Sequence, residues 1–168
     1  MVRDARPEDA SAIAQVHTRS WQVGYAHAFP TEALAAISVE RRRDYMASYL
    51  RSLPPRAAVL VGELDGEVCG FASVGAARED DDALGELYAI YVDPDRWGSG
   101  LGRALIAAAE ERLRAAGFTE TMLWVLEDNP RARRFYEAAG WIHDGGTKRD
   151  THLDTEVTEV RYRKQLTS

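Results

Sequence analysis

The sequence predicts one α/β domain over residues 1–168, an α+β mixed sheet of about seven strands with four helices. Its length, with 45% hydrophobic residues, is enough for one substantial core. The dipeptide Asp65-Gly66 separates two apolar runs, which is typical of an antiparallel hairpin. A buried run ending at Val92, a helical pattern and a second buried run ending at Val125 indicate a parallel strand pair joined by a right-handed crossover.

An edge strand and two helices are predicted before the hairpin. The segment from Val2 to Ala5 has the pattern of a short strand, and Pro7-Glu8-Asp9 then supplies a proline and two acids to a first helical turn. Apolar positions recur on one face of this helix as far as about Trp21. Thr31 and Ser38 are predicted to be successive N-caps, and the second of them opens another long helix.

The rest of the chain alternates strands and helices and closes with a pair of strands. Gly117 and Gly140 follow helical patterns at the position that ends a helix. The tail alternates with the period of a strand. In order, the predicted elements are strands 57–64 and 67–74, a loop at 76–83, a central strand ending at residue 92, a helix at 101–116, a strand at 121–125, a helix at 130–139, and strands 147–153 and 156–164.

A glycine-rich loop follows the central strand. Beyond Pro94, glycine occupies every second position at Gly98, Gly100 and Gly102, just where a helix is predicted to begin. Uncovered backbone amides and the positive end of the helix would converge there on one anion. Arg103 stands where a Rossmann fingerprint needs glycine and a P-loop needs lysine, so neither nucleotide motif fits. The loop is therefore predicted to bind a phosphate group of another kind.

Two motifs make the chain resemble the GCN5-related N-acetyltransferase (GNAT) family. The first is Val92-x-Pro94-x-x-Trp97-Gly98-x-Gly100-x-Gly102, and the second is the run Asn-Pro-Arg-Ala-Arg-Arg-Phe-Tyr-Glu-Ala-Ala-Gly-Trp over residues 129–141. The family's pyrophosphate motif carries glutamine or arginine where Trp97 stands. The resemblance implies that the two central parallel strands splay apart and that the pantetheine arm of acetyl-CoA enters the gap.

The resemblance also implies which residues hold acetyl-CoA. The backbone of Ile90 and Val92 would pair with the pantetheine amides, and a central-strand amide near Tyr91 would stabilise the carbonyl oxygen. Arg103 would bring positive charge to the first helical turn, and its alternative is an exposed helix residue. Asn129 resembles the family's cofactor-binding asparagine and would also serve as an N-cap before Pro130, and the two roles can coexist. The implied cofactor contacts are Ile90, Tyr91, Val92, Trp97, Gly98, Ser99, Gly100, Leu101, Gly102, Arg103, Asn129, Ala132 and Phe135.

The activity implied by the resemblance is transfer of an acetyl group from acetyl-CoA to a primary amine of a small molecule or peptide, directly within a ternary complex. Glu86 is the candidate base, because it lies six residues before Val92, the offset found in histone-type members. Regular alternation would place Glu86 on the face of Ile90 and Val92, provided that no bulge intervenes. Tyr136 is the candidate acid at the coenzyme A sulfur. A solvent-facing glutamate and a core tyrosine are the alternatives.

The acceptor site and the alternative function are less constrained. Trp21 and Tyr25 are candidates for substrate binding, since the family forms one wall of the acceptor site from this segment, and packing of the helices is the alternative. The tail strands over residues 147–163 are expected to shape the same pocket. A non-catalytic acyl-CoA sensor or scaffold with the same fold is the second hypothesis for function. A complete glycine loop combined with Glu86 and Tyr136 favours the enzyme, because a sensor needs the loop but neither proton-transfer group.

Composition limits the partners. A net charge of −6 argues against nucleic acid. The chain has no long apolar run and no leader pattern, so we expect a cytoplasmic protein without a membrane partner. Cys69 is expected to be a buried thiol, and no metal is expected because the acids at 79–82 lack the spacing of a calcium loop. The arginines at 41–43 are predicted to be solvated. Many relatives form homodimers, but the sequence leaves this open.

Overall fold

The computed structural model describes residues 1–166, so the last two residues of the predicted domain, 167 and 168, lie outside the described part. Two single-turn 3-10 helices, Pro7–Asp9 and Pro94–Arg96, precede the first long helix and the glycine loop. The main elements are β1 (Val2–Asp4), α1 (Ala10–Gly24), α2 (Thr31–Ala35), α3 (Val39–Arg51), β2 (Ala58–Leu64), β3 (Glu67–Ala76), β4 (Leu84–Val92), α4 (Leu101–Ala115), β5 (Glu120–Leu126), α5 (Pro130–Ala138), β6 (Ile142–His152) and β7 (Thr155–Gln165).

The strands form one mixed sheet of seven strands in the order β1-β2-β3-β4-β5-β7-β6, which confirms the predicted fold class. The hairpin between β2 and β3 turns at Asp65-Gly66, where both residues have positive φ, as a two-residue turn of this kind requires. Ser38 accepts a hydrogen bond from the Arg41 amide at 3.1 Å, so this cap is confirmed. Thr31 is the first residue of the short α2 rather than its N-cap, because Pro30 occupies the N-cap position, so this predicted cap is wrong.

The central strands diverge as predicted. β4 and β5 run parallel and pair only over the three residues from Leu84 to Glu86 of β4. Both strands continue beyond these pairs, to Val92 and Leu126, without further pairing to each other. Because a parallel pair that stops after three residues leaves unpaired backbone on both sides, the result is a gap between the C-terminal ends of β4 and β5.

A β-bulge in β4 overturns one prediction. The pairing with β3 passes from Ala89 directly to Leu87, so Tyr88 is an extra residue. Leu87, Ile90 and Val92 all contact the core under α4, whereas Glu86 alternates with Leu87 and points to the opposite side. The prediction that Glu86 shares a face with Ile90 and Val92 is therefore wrong, since one inserted residue reverses the alternation.

The sheet packs a helix layer on each face. Buried residues of α4 cover the side that we call the α4 face, together with Val125 of β5 and Val160 of β7. Residues of α1 cover the other side, the α1 face, where they meet Ala89 and Tyr91 of β4. Cys69 is buried in the α4-face core, as predicted. Within residues 1–166, every helix is too short or too polar to cross a bilayer.

Candidate functional site

A cavity of about 950 Å³ occupies the gap between β4 and β5 and extends along the α1 face. Gly98, Ser99, Gly100, Leu101 and Arg103 lie outside its lining. The cavity brings together most of the predicted site residues, namely Trp21, Tyr25, Glu86, Ile90, Tyr91, Val92, Trp97, Gly102, Asn129, Ala132, Phe135 and Tyr136.

The glycine loop has the geometry of an anion cradle. Gly98 and Gly100 adopt φ of +82° and +89°, and a methyl group at either would meet no other atom within 4 Å. The first amide bonded within the helix is that of Ala104, which donates to the Gly100 carbonyl at 3.1 Å. In the described chain the amides of Gly98, Gly100, Gly102 and Arg103 make no backbone hydrogen bond. Four donors thus remain open at the positive end of α4, which fits a diphosphate.

Three other loop residues act in different ways. The Ser99 hydroxyl accepts a bond from the Leu101 amide at 3.3 Å. The Leu101 side chain is buried in the core, close to Gly62 and Gly70 of the hairpin, so Leu101 anchors the loop from beneath. The Arg103 side chain is exposed in the first turn of α4, where a positive charge can reach a bound phosphate.

Trp97 ties the loop to the end of β4. Its indole N–H donates to the Val92 carbonyl at 2.9 Å, and the Ser20 hydroxyl donates to the same oxygen at 3.1 Å. The Arg131 guanidinium lies 3.5 Å above the Trp97 ring, in contact with the cavity. Arg131 therefore brings a positive charge to the position where the resembled motif has glutamine or arginine. We did not single out Arg131 from the sequence, although it lies within the second motif.

The backbone directions at the end of β4 shift the expected oxyanion donor by one residue. The Asp93 amide donates to the Cys69 carbonyl of β3 at 2.7 Å. Because amide directions alternate along a strand, the Tyr91 amide also points to β3, and the Ile90 and Val92 amides point into the gap. The N–H groups of Ile90 and Val92, rather than that of Tyr91, are therefore the candidate donors to a bound carbonyl oxygen.

Tyr136 is both a core residue and a residue of the cavity lining. Its ring is buried against Trp141 and Tyr162 on the α4 face, and the residue also contributes to the cavity lining. Burial raises the pKa of Tyr136, and no hydrogen bond to its hydroxyl is present within residues 1–166. Asn129 likewise has two roles, since its oxygen caps the Ala132 amide at 3.1 Å and its NH₂ group donates to the Tyr25 hydroxyl at 3.4 Å.

Glu86 is buried, so the solvent-facing alternative is wrong. Its side chain is 2% exposed, and Oε2 accepts from Arg78 Nη2 at 2.6 Å. Oε1 accepts from the Arg78 backbone amide at 3.1 Å. The hydrogen bond to Glu86 raises the pKa of Arg78 above its usual range. Arg78 lies in the loop before β4, and nothing in its local sequence indicated this contact.

The side chains of Trp21, Tyr25 and Tyr91, which we call the aromatic wall, pack against one another and also line the cavity. Trp21 donates its indole N–H to the Tyr91 hydroxyl at 3.2 Å and meets the Tyr25 ring edge-on at 4.7 Å. His17 stacks on Tyr91, and burial together with the charge of Arg42 lowers the pKa of His17 to about 3. The His17 ring is therefore neutral near pH 7. Trp21 and Tyr25 belong to a core cluster and also line the cavity.

Arg42 departs from the predicted solvated face. Its guanidinium lies 5.5 Å from the Trp21 ring and 3.4 Å from the Thr18 hydroxyl, because α3 packs closely on α1. Arg41 and Arg43 are exposed, so the prediction of solvated side chains is confirmed for these two residues, whereas Arg42 is partly buried.

The closing strands, which the sequence analysis expected to shape the acceptor pocket over residues 147–163, contribute four cavity residues that it did not name individually. Lys148, Asp150 and His152 of β6 and Glu159 of β7 all line the cavity. They reach it because the sheet order places β7 and β6 directly beside β5. The alternation of polar residues at 148, 150 and 152 was the available signal that these side chains share one face.

Comparisons with known proteins agree with this geometry. Residues 12–141 match the model of the Acetyltransferase (GNAT) family. The chain is 38% identical over 138 residues to the uncharacterized N-acetyltransferase YuaI of Bacillus subtilis, across 82% of this chain and 77% of that protein. It is 46% identical over 91 residues to a mycothiol acetyltransferase of Kocuria rhizophila, a match that covers 52% of this chain and 30% of the relative.

A solved structure shares the fold over nearly the whole length. The yncA protein of Salmonella typhimurium, determined with its cofactor acetyl-CoA, has a TM-score of 0.75 at 21% identity, with 99% of this chain and 94% of that chain covered. The family match spans the diverging strands, the glycine loop and Tyr136. The chain therefore belongs to the GNAT family and is an acetyl-CoA-dependent N-acetyltransferase.

Proposed function

We propose that the chain acetylates a primary amine of a small molecule or peptide by direct transfer in a ternary complex. The observation that carries this proposal is the position of two proton-transfer groups on opposite sides of one gap. Glu86 belongs to the α1 face of the sheet, and Tyr136 packs on the α4 face. Both line the same cavity.

The chain's own residues account for the grip on the cofactor. The open amides of the glycine loop hold the diphosphate, and the Ile90 and Val92 backbone flanks the pantetheine arm. When bound, acetyl-CoA supplies a thioester whose carbonyl carbon is the electrophile. An N–H group of Ile90 or Val92 stabilises the carbonyl oxygen as a fixed backbone donor.

Two residues carry the proton transfers. An ammonium group with a pKa near 10 is not a nucleophile at neutral pH, so the acceptor nitrogen must lose protons. Glu86 accepts a proton from that nitrogen, directly or through water. Tyr136 Oη donates a proton to the sulfur, for which it is suited because burial keeps it protonated.

The acceptor occupies the α1 side of the cavity. Rings of Trp21, Tyr25 and Trp124 face this space together with Glu86. The volume is in the range of small-molecule sites, which favours a small amine or the end of a peptide over a folded protein surface. The net charge of −6 supports a partner other than nucleic acid and is compatible with a cytoplasmic enzyme.

The test is release of the coenzyme A thiol with a panel of primary amines, for wild type and Glu86→Gln. We expect turnover to fall about tenfold or more in the variant while binding of acetyl-CoA is unchanged. Glu120→Gln is the matched control, because Glu120 is also ion-paired to an arginine, Arg163, but lies outside the cavity. Equal turnover of Glu86→Gln and wild type would remove Glu86 from the proton transfer.

A further inference from the structure

A charged cluster on β6 and β7 has no part in the roles described so far. His152 Nε2 lies 3.6 Å from Asp150 Oδ2 and 3.7 Å from Glu159 Oε1. Lys148 Nζ lies 3.8 Å from the same Glu159 oxygen. Glu159 pairs with Leu126 of β5, whose side chain contacts the aromatic wall of the α1 face. The cluster therefore shares a sheet face and a cavity with Glu86.

The carboxylates determine which nitrogen of His152 is free. Because both acids lie at Nε2, they favour the proton of the neutral ring on Nε2, and Nδ1 is left as a proton acceptor. The interaction with the nearby Glu159 carboxylate is the main cause that raises the pKa of His152, Asp150 adds to it, and burial and Lys148 oppose it. The Trp21 ring meets the imidazole edge-on at 5.8 Å.

Acetylation of an ammonium releases more protons than the sulfur takes up. The nitrogen of an alkylammonium loses two protons on becoming an amide, and the sulfur accepts one, so one proton must leave for solvent. Glu86 is a poor outlet, since it is 2% exposed and Arg78 holds both of its oxygens. The His152 side chain is 32% exposed and also lines the cavity, so it connects the site with water.

We propose that His152 takes the first proton from the acceptor ammonium and passes it to solvent. One N–H bond of the ammonium breaks, its electron pair stays on nitrogen, and an Nδ1–H bond forms. The amine then enters the gap neutral, and its second proton goes to Glu86, which returns it to Tyr136 after Tyr136 has protonated the sulfur. Asp150 and Glu159 act as positioning residues. This assignment rests on the amine acceptor proposed above.

Two measurements test the assignment. The first is the pH profile of kcat/KM for wild type and His152→Gln with one amine that wild type acetylates. At about pH 7 we expect the variant to lose about tenfold or more, and to regain about tenfold per pH unit toward the pKa of the amine, because hydroxide replaces the lost base. Wild type should level off once His152 is neutral. His143→Gln is the control, since His143 lies on the same strand outside the cavity.

The second measurement needs no turnover. An NMR titration of the His152 ring in the free protein should give a pKa above the usual range, and Glu159→Gln should lower it. The acidic limb of the wild-type pH profile should move to lower pH in the same variant. If His152→Gln does not fold, the pH profile is measured with His152→Asn instead, and the titration of wild type and Glu159→Gln tests the assignment independently.

The outcomes separate the two proposals. Identical pH profiles of wild type and His152→Gln, or a His152 pKa that Glu159→Gln leaves unchanged, would overturn the role of His152 alone. A wild-type protein that binds acetyl-CoA and acetylates no amine of the panel would overturn the proposed acceptor class, and the His152 assignment with it.

Discussion

Replacement of Tyr136 by phenylalanine separates catalysis from stability. Within residues 1–166 the Tyr136 hydroxyl makes no hydrogen bond, so its removal leaves no partner unsatisfied. We therefore expect the free energy of unfolding to change by less than about 1 kcal/mol. Loss of a general acid costs far more, since such groups contribute about 10²- to 10⁴-fold in rate. We expect kcat to fall at least about tenfold, which corresponds to about 1.4 kcal/mol.

The assay compares thiol release, acetyl-CoA binding and urea unfolding for Tyr136→Phe and Tyr162→Phe. The Tyr162 hydroxyl accepts from Arg133 Nε at 3.0 Å and donates to Glu137 Oε2 at 2.6 Å, and it lies outside the cavity. Tyr162→Phe should therefore lose about 1–3 kcal/mol of stability and keep its kcat. A kcat of Tyr136→Phe within twofold of wild type at intact acetyl-CoA binding would refute the acid role.

Two further predictions concern the loop and the core. Gly100→Ala places a side chain at φ +89°, which costs about 1–2 kcal/mol in this region, and relaxation of the loop would misdirect its amides. We expect acetyl-CoA to bind about tenfold more weakly by calorimetry, and unchanged affinity would argue against the cradle. The His17 pKa of about 3 means that unfolding takes up a proton below about pH 6.5, so stability falls as the pH drops, by up to about 1.4 kcal/mol per unit. Urea midpoints at about pH 7 and 5 should show this slope in wild type and a shallower one in His17→Leu.

Short-range signals made the loop and the caps at Ser38 and Asn129 predictable, although not the position of the cap before α2. Glycines at alternate positions before a helix indicate a backbone with positive φ, because other residues rarely adopt that conformation, and Gly98 and Gly100 do adopt it. Asn129 is recognisable as an N-cap because a capping residue followed by proline is a local pattern. The hairpin turn at Asp65-Gly66 is likewise recognisable from two neighbouring residues. In each case the residues that decide the structure are neighbours in sequence, so tertiary context had little to add.

Long-range packing decided what the sequence analysis did not foresee. The bulge at Tyr88 depends on β3, where Gly75 leaves room for the Tyr88 ring and the Ala76 carbonyl accepts from its hydroxyl. The position of His152 depends on the order of the strands in the sheet. His152 lies at the cavity because β6 pairs with β7, and β7 pairs with β5, which borders the gap. Neither relation is visible in a window of neighbouring residues. The inward turn of Arg42 depends in the same way on the packing of α3 on α1.

The bulge also accounts for the position of the proposed base, Glu86, and the proposed acid, Tyr136, on different sides of the gap. In a regular strand Glu86 would share the α4 face with Ile90 and Val92, which is the side of Tyr136. Glu86 and Tyr136 would then lie on the same side of the gap, and β4 would place no carboxylate beside the aromatic wall of the α1 face. One extra residue moves Glu86 to the acceptor side while Ile90 and Val92 keep their backbone toward the gap. In the proposed function, approach of the amine from one side and departure of the sulfur on the other thus follow from a single break in alternation.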